Sequence, residues 1–192
     1  MGLGVGIEAS LNILEPARHL STKVGDDAIH LRVLDFLAFT YCTLLEHQKE
    51  ARTTITEVRQ IGDRLHEAHV IGRARFWKGY TSTYEGDLSA ANEDFDHALM
   101  LSADTSSTRI TPMNWYIQTR SLSSLVLWLL GYPEHAKTRS NQALALAHDP
   151  GSHLLVDNNH CNVLLRNAAA LVGQFERSLL AHGGNCPAGY RR

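Results

Sequence analysis

Trp77-Lys-Gly-Tyr-Thr-Ser-Thr-Tyr-Glu-Gly-Asp-Leu-Ser-Ala-Ala-Asn-Glu-Asp-Phe-Asp-His-Ala98 decides the fold. Trp77, Tyr80 and Tyr84 recur at three and four residues, the spacing that puts large side chains on one face of a helix. Gly86 then supplies a residue able to take left-handed backbone angles, and Asp87 supplies a carboxylate to cap the next helix. Ala91, Phe95 and Ala98 line one face of that second helix, with small residues where two helices cross. The stretch predicts a helical hairpin.

The same punctuation recurs on both sides. Val24-Gly25-Asp26 and Ile61-Gly62-Asp63 each close one apolar-periodic segment and open another, and Gly131-Tyr132-Pro133 places a proline in a first helical turn. Helices are expected at 10–24, 27–46, 49–61, 64–85, 88–103, 112–130, 133–148, 152–172 and 175–182. A polar loop is expected from Ala103 to Thr111, and a stop at Asp149-Pro150-Gly151. Sustained alternation with period two is missing from the sequence, so the expected class is all-α. The turns inside the hairpins, at Glu46, Gly86, Gly131 and Gly173, are 40, 45 and 42 residues apart. Five residues after each comes a small residue: Ala51, Ala91, Ala136 and Ser178. The expected organisation is a flexible N-terminus over 1–9, a repeat domain over 10–182 and a flexible tail over 183–192.

This pattern resembles tetratricopeptide-like repeats. Trp77, Tyr80 and Tyr84 match the spacing of that repeat's first helix, as do Leu122, Leu125 and Leu129, with Leu37, Thr40 and Leu44 as a fainter first copy. Ala91, Phe95 and Ala98 match its second helix. Thr81 and Val126 replace the usual small residue, and no unit carries the terminal proline in place. Leu127-Trp-Leu-Leu-Gly-Tyr-Pro-Glu-His-Ala136, followed by Arg139 to Ala147, further resembles the C-terminal helical region of bacterial signalling ATPases of the STAND type, linked to winged-helix or adenylate-cyclase domains. The resemblance implies a superhelical array of about four units, forming the repeat region of a larger signalling or transcriptional regulator. Without a phosphate-binding loop in the chain, it carries over no ATPase activity.

The charge balance excludes other classes. Eighteen basic residues against twenty acidic ones give a net charge of −2, which argues against nucleic acid as a partner. The most apolar stretch, Leu122 to Leu130, is broken by Ser123 and Ser124 and is too short to span a membrane. Cys42, Cys161 and Cys186 form no paired motif, and the N-terminus lacks the form of a signal peptide, so a cytoplasmic location is expected. Candidate chemistry is sparse. His66-Glu67-Ala68-His69 has its histidines at i and i+3 where a zinc protease needs i and i+4. His160-Cys161 points two side chains apart. Glu93, Asp94 and Asp96 sit near a helix N-terminus with no facing base. Gly2, Gly4 and Gly6 follow no strand. Neither a cofactor nor a metal is expected, and the chain reads as non-catalytic.

The resemblance implies a concave face lined by first helices. Measured from Trp77, that groove is expected to hold Arg75, Lys78, Ser82 and Glu85, with Asp35 in the preceding unit, Arg120 and Ser123 in the next, and Asn162 in the last. Arg75 and Lys78 share one helix face and present paired positive charge to an acidic peptide or carboxylate. The expected role is a protein-interaction or sensor module binding a protein or peptide. Self-association through uncapped ends is a further possibility. A small-metabolite-sensing domain is the alternative, and an enzyme fragment, such as the regulatory part of an adenylate cyclase, the third.

Overall fold

A computed structural model describes residues 3–101 and 115–147. The described residues form seven α-helices and no strand: α1 Leu3–Val24, α2 Asp27–Thr43, α3 Gln48–Leu65, α4 Ala68–Glu85, α5 Leu88–Leu101, α6 Trp115–Leu129 and α7 Pro133–Ala147, with a short 3-10 turn at Leu45–His47 between α2 and α3. Helix α1 begins at Leu3, within the stretch expected to precede the helical domain. The segments 152–172 and 175–182, Asn162, Ser178, the expected stop at Asp149 and the tail lie outside the described residues.

Three corners form as the sequence predicts. Gly25 takes φ 72°, and the Asp26 carboxylate accepts from Ala28 N at 2.8 Å and Ile29 N at 3.1 Å. Gly86 takes φ 83°, Asp87 N donates to Ser82 O at 3.0 Å, and the Asp87 carboxylate accepts from Ala90 N at 3.0 Å. At Gly131, Tyr132 N donates to Leu127 O at 2.9 Å, and Pro133 opens α7. These bonds satisfy the backbone groups that helix ends leave over.

The fourth corner does not lie at Gly62-Asp63. Helix α3 runs on to Leu65, and His66 makes the turn in a left-handed conformation at φ 55°, with Glu67 N donating to Gly62 O at 3.1 Å. Gly62 serves the helix crossing instead. A Cβ there would stand 2.9 Å from Ile71 Cγ1 and 3.0 Å from Ile71 N.

Each helix packs on its sequence neighbours, and α4 also reaches α2 and α6. The expected small residues Ala51, Ala91 and Ala136 are fully buried, among large core residues such as Leu34, Leu37, Val58, Phe76 and Phe95. Trp77 is buried against Phe39, Phe76 and Tyr80. Tyr84 and Leu129, the last residues of their spacing patterns, are half exposed because their helices end there. Among the described residues, no helix is long and apolar enough to cross a membrane.

The corners of the first pair step by one residue more than the turns do. The starts of α2 and α4 (68 − 27) and the left-handed residues before them (66 − 25) both step by 41. The left-handed glycines after α4 and α6 (131 − 86) step by 45. Counted from these corners, Trp77 aligns with Phe36 and with Leu122. The turn spacing aligns it one residue on, with Leu37, which is buried as Trp77 is.

Candidate functional site

Three of the four groove residues expected on α4, Arg75, Lys78 and Glu85, pair with second helices. Arg75 Nη1 lies 2.7 Å from Asp94 Oδ1 and Lys78 Nζ 2.8 Å from Asp94 Oδ2, and Asp94 is a buried residue of α5. Glu85 pairs with Arg52 of α3 at 2.5 Å. Ser82 is buried, with its backbone carbonyl closing the Gly86 turn. Two cations thus share one buried carboxylate. The Lys78 side chain remains 57% exposed, which leaves positive charge on this face.

Asp35 faces the opposite side of α4. It forms an ion pair with Arg73 and accepts from Trp77 Nε1 at 3.3 Å, with both charged side chains largely buried. Burial pulls the Arg73 guanidinium down to about 10, a value that leaves it charged at neutral pH. Asp35 is therefore occupied in joining α2 to α4. In the third unit, the Arg120 guanidinium lies 3.9 Å from the Tyr116 ring centroid, a cation–π geometry. Ser123 Oγ accepts from Arg139 Nη1 at 2.9 Å, and Arg139 also meets Asp96 of α5 at 2.5 Å. The expected residues therefore fall into separate contacts. Arg75 and Lys78 share one partner, Ser123 sits in a second network, and Asp35 lies apart from both.

The acidic run divides the same way, with Asp94 and Asp96 bound to cations and Glu93 exposed. His69 Nε2 lies 3.3 Å from Glu67 Oε2. Among the described residues, no three His, Cys, Asp or Glu side chains gather closely enough to hold a metal ion. Burial pushes the Cys42 thiol up to about 11, so it is a poor nucleophile at neutral pH.

One polar cluster was not foreseen. Ser21 Oγ lies 2.8 Å from His30 Nδ1, His30 Nε2 lies 2.8 Å from Glu57 Oε1, and Arg18 pairs with the other Glu57 oxygen. A carboxylate only accepts, so His30 carries its proton on Nε2 and Nδ1 accepts from the Ser21 hydroxyl when the ring is neutral. When the ring is protonated, Nδ1 donates instead and the hydroxyl turns to Arg18 O at 2.9 Å. The order of groups is that of a nucleophile relay. Ser21, however, is buried inside α1, where backbone N–H groups are spent on the helix and none is left to stabilise an oxyanion. The cluster clamps α1, α2 and α3 together beside a cavity of about 440 Å³, lined also by Asp27, Gln60 and Arg64. Arg18 and Ser21 lie on α1, His30 on α2 and Glu57 on α3, and only the hairpin packing joins them.

No family model, no curated protein and no solved structure matches this chain.

Proposed function

We propose that the chain is a non-catalytic, tetratricopeptide-like interaction module that binds a protein segment carrying carboxylates through Arg75 and Lys78. The observation behind this reading is the shared buried anchor. Asp94 holds both cations in place, so a partner carboxylate meets preorganised charge and fewer side chains need to be ordered on binding. Stacked hairpins in repeat register are consistent with such a scaffold, and the likeness of Leu127 to Ala147 to helical regions of STAND regulators supports a place in a signalling or transcriptional regulator. The test is binding of a panel of short acidic peptides, read by fluorescence anisotropy. Lys78→Glu should weaken the peptides that bind by about tenfold or more, a loss of about 1.4 kcal/mol. Unchanged affinity in that variant would remove this face from consideration.

A metabolite-sensing role is the second reading, and the cavity beside His30 and Glu57 favours it. A saturable thermal shift with small polar metabolites, lost in His30→Ala, would support it over peptide binding.

A further inference from the structure

Three positions on the first helices repeat with the register given above. They are Ile29, Val70 and Trp115; Arg32, Arg73 and Gln118; and Phe36, Trp77 and Leu122. In the second and third units all six residues are buried, with Trp77 2% and Leu122 6% exposed. Three of the six meet a residue of the preceding first helix. Asp35 and Phe39 of α2 lie against Arg73 and Trp77, and Trp115 Cη2 comes within 3.1 Å of a Cβ built on Gly72 of α4. Arg73 and Trp77 are thus met by α2, and Trp115 by α4.

The first unit breaks the pattern. Ile29 is 46% and Phe36 44% exposed, and Arg32 between them is exposed too. The same holds for α1, which the step of 41 aligns with α3. Ile13 and Leu20 are 72% and 60% exposed, while their counterparts Thr54 and Ile61 are 0% and 4%. Two adjoining helices therefore leave exposed the positions whose counterparts, one unit later, are buried.

We infer that the α1–α2 end is a docking site for one amphipathic helix of a partner protein, lying on α2 as α2 lies on α4 and carrying a carboxylate for Arg32. The chemistry follows from the next unit. Arg73, the counterpart of Arg32, is met by Asp35, and Trp77, the counterpart of Phe36, is met edge-on by Phe39 at 6.5 Å between ring centroids. The partner helix thus carries an acidic residue with an aromatic or large apolar residue four positions on. Apolar side chains on the same helix cover Ile13 and Leu20. A second copy of the chain fits less well. In the register of Asp35, the later first helices carry Phe76 and Ser121, both buried, and Asp35 itself is held by Arg73 within the chain. The inference rests on the hairpin register and not on the Arg75–Lys78 face, so either can fail alone.

The probe is a labelled synthetic peptide of residues 27–43, which carries Asp35 and Phe39 in the required spacing, offered to the intact chain. Saturable binding is expected, weakened by about tenfold or more in Arg32→Ala protein and again with an Asp35→Asn peptide. Leu20→Lys should weaken it as well. Each altered side chain of the protein is exposed, and an unchanged helical melting curve shows that the variant is folded. Lack of saturation up to about 1 mM, or affinity indifferent to Arg32→Ala, overturns the proposal. A concentration-dependent dimer in analytical ultracentrifugation that Leu20→Lys abolishes also overturns it, by assigning the face to a second copy.

Discussion

Asp35→Leu should destabilise the protein by an amount that only a buried ion pair explains. In the folded chain, the Asp35 and Arg73 side chains are 14% and 6% exposed, and burial lowers the Arg73 guanidinium only to about 10. The variant leaves that guanidinium charged in the interior with its carboxylate gone, and Trp77 Nε1 loses its acceptor. Breaking a buried pair from one side costs about 3–5 kcal/mol, against about 0–1 kcal/mol for an exposed bridge. Set beside a total stability of about 5–15 kcal/mol, the loss should be large in urea unfolding followed by helical circular dichroism. Replacing both partners, in Asp35→Leu with Arg73→Met, removes the stranded charge along with the bridge. It should recover most of the loss, because apolar residues of similar volume substitute well for buried pairs. A loss below about 1 kcal/mol in the single variant, or a double variant less stable than the single, would refute this account of the α2–α4 contact.

Arg75→Ala should cost about 1.5–3 kcal/mol, because it takes a charged hydrogen bond from buried Asp94, whereas Lys78→Ala should cost about 0–1 kcal/mol; equal costs in thermal melts would contradict the geometry. Gly79→Ala places a Cβ 2.9 Å from two Phe95 ring carbons and 3.1 Å from Ala91 O. The helix-propensity gain of about 1 kcal/mol then loses to an overpacking cost of about 1–3 kcal/mol, and a rise in melting temperature would show that Phe95 yields. The neutral Cys42 thiol is favoured by folding, with a pKa raised from 9.0 to about 11. Its contribution is complete below pH 9 and lost as the pH rises to about 11. Relative to Cys42→Ala, the wild type should therefore lose about 3 kcal/mol across that window, and a pH-independent difference would exclude this. Trp77→Ala should cost about 3–5 kcal/mol, and an unchanged melting temperature would mean that the ring is not core.

Helix, hairpin and corner were legible in the sequence because they depend on residues near one another in the chain. Apolar spacing of three and four, glycine before a capping aspartate, and alanine at a crossing each express a local constraint, and Gly25, Gly86, Gly131, Ala51, Ala91 and Ala136 behave accordingly. Gly62 misled for a physical reason. A glycine answers equally to a left-handed turn and to a close helix contact, and only the position of Ile71 on α4 distinguishes the two. Charge pairing lay beyond the sequence altogether. Arg75 and Lys78 share a helix face by periodicity, but their common partner Asp94, the burial of Asp35 under Arg73, and the joining of Ser21, His30 and Glu57 are set by which hairpin faces which. Side-chain periodicity is a property of one helix, while the partner of a charge is a property of two, and only the tertiary structure brings the second helix into place.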